Sequence, residues 1–338
     1  MMHTAIHEAI NGRDLDYQTA RAAMEQMMEG TASEVEMATL LTALRMKGET
    51  ITEITACAEV MREKGAHIEP RGAVMDIVGT GGDEVGSFNI STTAAFVAAA
   101  GGVPVAKHGN RSVSSKSGAA DVLEELGVVL NLTPEQNEIV LRDTGICFLF
   151  AQGYHKSMKN VAPVRKGMGE RTLFNMLGPL SNPARATMQL LGVYDPKLVR
   201  PMAQVLANLG VTRGMVVCGG GMDEASLSGT NKACEIRFGK LHEYEFTAAD
   251  IGLSPCTVDD LRGGSPAENA QITRDVLVGR EQGAKRDIIL LNAGLALYLG
   301  IDGYELSDGI ARAAELIDSG AAYEKLTQFI RATQEVSQ

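Results

Sequence analysis

Residues 74–121 constrain this chain more than any other stretch. Val74-Met75-Asp76-Ile77-Val78 is a short apolar run with β-branched residues, the pattern of a buried strand. It leads directly into Gly79-Thr80-Gly81-Gly82-Asp83. Asn89-Ile90-Ser91-Thr92-Thr93 then opens an alanine-rich helix over Ala94 to Ala100, which Gly101-Gly102 stops. A second strand, Val103-Pro104-Val105-Ala106, delivers Lys107-His108-Gly109-Asn110-Arg111. Strand and helix alternate onward from here, which implies a parallel sheet with right-handed crossovers. Ligands of such sheets sit at the carboxyl ends of the strands.

The chemistry of this stretch points to phosphate. Three glycines in four residues let a backbone take positive φ and come close to a ligand. Consecutive free N–H groups in such a turn make an anion-binding concavity, and a helix start adds more of them with the positive end of its dipole. Ser91 and Thr92 can cap that helix or present hydroxyls to oxygen ligands. Taken alone, Gly79 to Asp83 reads equally well as a plain connection. The second loop, with Lys107, Arg111 and Lys116, tips the reading to phosphate. No Gly-Lys-Ser/Thr follows the glycines and the Gly-x-Gly-x-x-Gly spacing is absent, so this is neither a P-loop nor a dinucleotide fingerprint.

The net charge of −11 argues against general nucleic-acid or anionic-membrane binding and makes the cationic loop stand out. Aromatics are only 4% with no Trp, so aliphatic residues and methionine must fill the core. The five cysteines are scattered without a Cys-x-x-Cys, which disfavours zinc and redox sites and fits a reducing cytosol. With no signal-peptide pattern and no apolar run long enough to span a bilayer, the expectation is a cytoplasmic protein.

Residues 1–70 read as four short helices. Ser33-Glu34-Val35-Glu36 and Thr50-Ile51-Thr52-Glu53 are capping boxes. Val35, Met37, Leu40, Leu41 and Leu44 recur at helical spacing between them, and an earlier helix spans about Asp16 to Glu29. So small a bundle must pack on something else, either the rest of the chain or a second copy. Its methionines, Met24, Met27, Met28, Met37, Met46 and Met61, read as core. Glu69-Pro70-Arg71-Gly72 marks the crossing into the alternating part. There, helices are expected over 117–127 and from Thr133 to about Gly145, then a strand over Ile146 to Phe150. Phe174 to Pro183 reads as a helix end followed by a turn-rich hinge. Farther on come a strand over Met188 to Val193, a helix over Pro196 to Leu209 and a strand over Gly214 to Cys218. An antiparallel pair near 233–238 and 241–246 and four C-terminal helices complete the pattern.

Two further stretches carry chemistry. The loop after Phe150 holds Tyr154 and His155, followed by Met158 to Arg165 and Gly169-Glu170-Arg171-Thr172. Lys159 and Lys166 suit a solvated helical face, whereas Arg165 reads as functional. Gly219-Gly220-Gly221-Met222-Asp223-Glu224 places adjacent carboxylates at a strand's carboxyl end, where like charges disfavour each other unless a cation or a solvated surface relieves them. Magnesium takes one or two carboxylates plus phosphate oxygens and water. With no defensible nucleophile–base arrangement, a site of positioning and electrostatics suits transfer of a group activated by pyrophosphate.

At this point the resemblance becomes specific. Gly79 to Asp83, Asn89 to Thr92, Lys107 to Arg111, Met158 to Arg165, Arg171 to Asn175, Leu177 to Leu180, Asn182 to Ala184 and Met222 to Glu224 together resemble the anthranilate phosphoribosyltransferase family, over essentially the whole chain. The resemblance implies an all-helical N-terminal domain (1–70, with a contribution from about 166–184) on a large α/β domain (71–338) with a mainly parallel sheet. It implies a homodimer formed through the N-terminal helices, and transfer of phosphoribose from phosphoribosyl pyrophosphate to the amine of anthranilate in tryptophan biosynthesis.

The resemblance also assigns residues. Phosphoribosyl pyrophosphate would be held by Gly79, Gly82, Asp83, Ser87, Asn89, Ile90, Ser91, Thr92, Lys107, His108, Gly109, Asn110, Arg111, Ser112, Val113, Ser114, Ser115 and Ala119. Ser91, Asp223 and Glu224 would serve Mg2+. Gly79, Asn110, Arg165, His155 and Arg171 would meet anthranilate, with His108 and His155 as candidate catalytic groups. Ser87 stands where the family often has Thr, and Ala119 where Ser is common, which limits a phosphate contact there to backbone. The rival readings are a pyrimidine nucleoside phosphorylase, which needs no magnesium, and a non-catalytic phosphosugar-binding protein.

Overall fold

A computed structural model of the chain describes residues 1–83, 85–112 and 116–338. Four helices come first: α1 (Met2–Ile10), α2 (Tyr17–Glu29), α3 (Glu34–Lys47) and α4 (Ile51–Lys64). Both expected capping boxes form, Ser33 with Glu36 and Thr50 with Glu53. Asp16 caps α2, its carboxylate accepting the Thr19 N–H at 2.7 Å.

The next elements are β1 (Met75–Gly79), α5 (Ile90–Ala100), β2 (Val105–Gly109), α6 (Ala119–Leu126), α7 (Pro134–Thr144), β3 (Ile146–Phe150), α8 (Ala151–Tyr154), α9 (Ala162–Met168), α10 (Leu173–Leu180) and β4 (Met188–Gly192). There follow α11 (Val199–Asn208), β5 (Arg213–Gly219), β6 (Asn231–Arg237), β7 (Lys240–Phe246), α12 (Pro266–Leu277), α13 (Ala284–Gly300), α14 (Leu306–Asp318) and α15 (Ala321–Val336).

The strands form one sheet in the order β3-β2-β1-β4-β5-β6-β7. Pairing is parallel from β3 to β5, and β6 and β7 add antiparallel at the edge, as the alternation implied. The carboxyl ends of β1 to β5 therefore share one edge.

Three local expectations need correction. β2 does not stop at Ala106. Pro104 lacks the N–H that a ladder needs, so the strand starts after it and pairs with β3 from Val105↔Ile146 to Gly109↔Phe150. Lys107 and His108 are thus strand residues, exposed by only 3% and 5%. The α10 helix runs through Pro179 to Leu180, so the hinge begins at Ser181. Val35 and Met46 lie outside the bundle core, exposed by 76% and 83%. The buried stripe of α3 is Met37, Leu40, Leu41, Ala43 and Leu44, and at 100° per residue Val35 falls on the opposite side.

Two apolar cores result. One packs α5, α6, α7 and α12 to α15 against the sheet. The other joins α1 to α4 with Val161, Val164, most of α10, α11 and the facing residues Leu191, Val193 and Val216. Arg62 of α4 pins the junction, donating from Nε to the Leu180 carbonyl at 2.6 Å and from Nη1 to the Leu209 carbonyl at 2.9 Å. Burial pulls its pKa down to about 10, with Arg185 adding repulsion. No helix among the described residues is long and apolar enough to cross a membrane. Arg62→Met leaves both carbonyls unpaired beneath the hinge. It is expected to lower unfolding stability by about 2–4 kcal/mol, readable as a lower urea midpoint with the same slope.

Candidate active site

The glycine turn takes its shape from two positions. Gly81 (φ 74°) and Gly82 (φ 79°) are left-handed, where a side chain would be strained. The Gly81 N–H donates to Asp223 Oδ2 at 2.5 Å. Among the described residues the N–H groups of Gly82 and Asp83 have no protein acceptor, leaving two backbone donors bare in one turn. The far side of the loop is tied down: Thr80 N–H donates to Gly192 O, Phe88 N–H to Leu261 O, and Ser87 bridges Arg262.

The start of α5 faces the same turn. Its cap is Asn89, without a side-chain cap bond, so Ser91 and Thr92 lie inside the first turn and do not cap it. Asn89 is held in place by Asn269 Nδ2 at 2.9 Å and by Ser117. Ile90 and Thr92 are buried. The Ser91 N–H approaches Glu224 Oε1 at 3.3 Å, and Lys107 Nζ donates to Ser91 Oγ at 3.2 Å. The glycine turn, the α5 start, Lys107, Asp223 and Glu224 therefore share one cleft.

Gly79 and Gly192 make that convergence possible. They are opposite each other at the ends of β1 and β4. A Cβ on Gly79 would meet Asp223 Oδ2 at 2.4 Å, and one on Gly192 would meet the Asp223 carbonyl oxygen at 1.6 Å. The turn after β5 folds over two bare strand ends. Sequence reasoning missed Gly192, because nothing local distinguishes Gly-Val-Tyr after an apolar run; only the β1–β4–β5 order brings it under Asp223.

The electrostatics are strained. Burial raises the pKa of Asp223, with the Asp83 carboxylate adding to it. Burial also raises that of Glu224, with Asp223 next in effect. Burial lowers that of Lys107 against the opposing pull of Asp76 and Glu224. Three carboxylates, Asp223 buried and Asp83 and Glu224 half-buried, converge on a cleft that holds one buried ammonium.

The second loop departs from expectation. Arg111 spends its charge on Asp121 at 3.0 Å and Glu124 at 2.8 Å, and Lys116 is exposed. Asp121 also accepts the N–H groups of Ser112 and Gly118, both at 2.9 Å. Only Lys107 of the three expected cations reaches the shared cleft. Gly109 packs on Phe148, and Ala119 begins α6. Asn110 is exposed, with its Oδ1 accepting from Gln152 at 3.4 Å. Val113, Ser114 and Ser115 lie outside the described residues.

His108 and His155 sit edge to face, 5.1 Å between ring centroids. Burial depresses both, His155 to about 4, so both imidazoles are neutral at pH 7. His108 Nε2 and both His155 nitrogens are buried without a hydrogen-bond partner. Arg165 of α9 stacks on Phe174 at 5.5 Å, and burial alone lowers its pKa. Arg171 stacks on Tyr194 at 4.2 Å and donates to the Gly82 carbonyl.

Comparison with known proteins covers the whole chain. Residues 3–65 match the helical bundle domain of a glycosyl transferase family, and residues 71–323 match its a/b domain. The anthranilate phosphoribosyltransferase of Endomicrobium trichonymphae is 52% identical over 99% of this chain and 100% of its own. That of Lachnoclostridium phytofermentans is 53% identical over 98% of each. The crystal structure of the Thermus thermophilus enzyme superposes with a TM-score of 0.92 at 43% identity, covering 98% of this chain and 99% of its own. The Saccharomyces cerevisiae enzyme in complex with PRPP and Mg gives 0.91 at 26% identity, covering 99% and 98%.

Gly192→Ala is expected to push the acidic turn off the sheet edge and to lower stability by at least about 2 kcal/mol. Gly153→Ala, whose Cβ meets nothing within 4 Å, serves as the unaffected control in the same thermal unfolding experiment.

Proposed function

The chain belongs to the anthranilate phosphoribosyltransferase family, and on that premise we propose that its cleft transfers the phosphoribosyl group of phosphoribosyl pyrophosphate to the amine of anthranilate, with release of pyrophosphate, in tryptophan biosynthesis. The observation that carries this reading is the meeting of bare glycine-turn donors, Lys107 and the Asp223–Glu224 pair at one sheet edge.

Phosphoribosyl pyrophosphate is bound by Gly79, Gly82, Asp83, Ser87, Asn89 to Thr92, Lys107 to Ser112 and the backbone of Ala119, with Val113 to Ser115 completing the loop. The free N–H groups of Gly82 and Asp83 and the Lys107 ammonium supply donors for a diphosphate.

Magnesium fits the acidic side of this cleft. Burial raises the proton affinity of Asp223 and Glu224, with the Asp83 charge adding to both and the Asp223 charge to that of Glu224, and a dication would relieve it. Among the described residues no group of three His, Cys, Asp or Glu is arranged to hold a metal unaided, so phosphate oxygens and water would finish the shell. Asp223, Glu224 and the Ser91 hydroxyl would hold the ion, which when bound neutralises charge on the departing pyrophosphate.

The other substrate is a carboxylate with an uncharged aromatic amine. Arg165, partly desolvated and without an acidic partner to pull its pKa, grips the carboxylate. Gly79 and Asn110 line the approach, and neutral His108 and His155 border it. An arylamine needs orientation more than activation, so the protein holds it in line with the ribosyl carbon, which inverts. The proton leaves an acidic arylammonium, and His155, with both nitrogens bare, can accept it or pass it to water.

The same reading divides the chain at residue 70, with about 166–184 joining the helical domain. It also makes the protein a homodimer, with Ile10 of α1 and Val35 and Met46 of α3, exposed by 62%, 76% and 83%, supplying apolar contact. Five unpaired cysteines suit the cytoplasm.

Arg165→Ala should raise the KM for anthranilate by about tenfold or more, the value of a charge-assisted pair, and leave that for phosphoribosyl pyrophosphate within about twofold. Loss of anthranilate fluorescence is the assay, and equal effects on both substrates would contradict the assignment. A carboxyl whose pKa is raised on folding stabilises the fold fully below the ordinary carboxylate range and loses that contribution as pH climbs through its folded value. With Asp223 at about 7 and Glu224 at about 8, the metal-free protein should melt at lower temperature as pH rises through neutrality. Mg2+ with pyrophosphate should restore more of the Tm at alkaline than at acid pH; calorimetry at both checks it.

A further inference from the structure

The glycine turn is gripped by a pair of side chains, Arg171 and Tyr194. Arg171 lies between α9 and α10, two residues before α10 begins. Its guanidinium rests on the Tyr194 ring at 4.2 Å and donates to the Gly82 carbonyl. Tyr194 follows β4 immediately after Gly192 and Val193, and Gly192 already accepts the Thr80 N–H at 3.0 Å. The turn is thus tied twice to the end of β4, once through backbone and once through Arg171 and Tyr194.

We infer that Arg171 and Tyr194 form a clasp that fixes the glycine turn in its diphosphate-accepting shape. The inference rests on the diphosphate reading of the cleft. The peptide plane between Gly82 and Asp83 carries the Gly82 carbonyl on one side and the Asp83 N–H on the other. A donor that holds the carbonyl toward Arg171 therefore turns the Asp83 N–H the opposite way, where it lacks a protein acceptor. Gly82 is left-handed at φ 79°, with little side-chain packing to hold that plane, so an outside contact must do so. A Cβ on Gly82 would stand 3.3 Å from Arg171 Nη2, so the fit leaves no slack.

Tyr194 supplies a flat face that keeps the planar guanidinium aimed, a task for a ring and not for a hydroxyl. Toward the diphosphate both are positioning residues, since they reach it only through the backbone they hold. Because Arg171 follows Arg165 on the same segment, the clasp also joins the stretch that carries the carboxylate grip to the loop for the other substrate.

The test uses the full-length enzyme with phosphoribosyl pyrophosphate, Mg2+ and anthranilate, comparing Tyr194→Leu, Tyr194→Phe, Arg171→Lys and the Leu/Lys double variant. Tyr194→Leu and Arg171→Lys should each raise the KM for phosphoribosyl pyrophosphate by about five- to thirtyfold, the range a partly desolvated cation–π contact covers. In Tyr194→Leu the KM for anthranilate and kcat should stay within about twofold. Tyr194→Phe should match the unsubstituted enzyme. The double variant should be no worse than the poorer single one, because either change opens the same clasp.

An unchanged KM for phosphoribosyl pyrophosphate in Tyr194→Leu, a Tyr194→Phe as impaired as Tyr194→Leu, or multiplicative effects would overturn the clasp while leaving the function standing. Failure of the unsubstituted enzyme to turn over the two substrates would instead remove the functional reading and the clasp's purpose with it.

Discussion

Asp223 reaches the glycine turn only because two neighbouring strand ends carry no side chain. Gly192 leaves room for the Asp223 carbonyl, and Gly79 leaves room for its carboxylate. Parallel pairing sets these two positions side by side. The β5 connection then lies down on the sheet edge, and its acids enter the space between the glycine turn and α5. Remove that close approach and the remaining parts stay intact but scattered: a loop with free N–H groups, a buried lysine and an acidic turn with nothing to share.

The cleft is electrostatically uncomfortable by construction. Desolvated carboxylates hold their protons tightly, and a buried ammonium releases its own easily. A diphosphate with its metal would relieve both at once, adding anionic oxygens beside Lys107 and positive charge beside the acids. Strain of this kind is tolerated where it is spent on ligand binding, and the two large apolar cores offset it.

The two halves of the site ride on different supports. Lys107, Asp223 and the glycine turn belong to the sheet. The α9 segment with Arg165 packs through Val161 and Val164 into the core of the N-terminal helices. Asn160, just before it, donates to the Met28 carbonyl at 2.8 Å and strengthens that attachment. Arg62 at the hinge, Arg171 at the glycine turn and Gln189 of β4, which donates to the Pro179 carbonyl at 2.8 Å, are polar ties between these supports. The placement of Arg165 is therefore a property of how the helical part sits on the sheet, and the placement of the glycine turn and Lys107 is not.

The sequence by itself determined the local chemistry. Strand, glycine turn and helix follow from period and breaker residues within a dozen positions, as do the capping boxes at Ser33 and Thr50, and the order of motifs was enough for the family. Tertiary structure decided which charges act together. Arg111 reads as an unpaired loop cation until α6 brings Asp121 and Glu124 against it, and Val35 reads as core until the orientation of α3 turns it outward. Gly192 and Tyr194 carry no local signal at all, because their partners lie about 30 and 23 residues away in sequence, and only the strand order brings them together. Hydrogen-bonding period and turn geometry act between near neighbours and can be read along the chain, whereas charge pairing and close backbone approach depend on through-space distance, which the packed sheet alone sets.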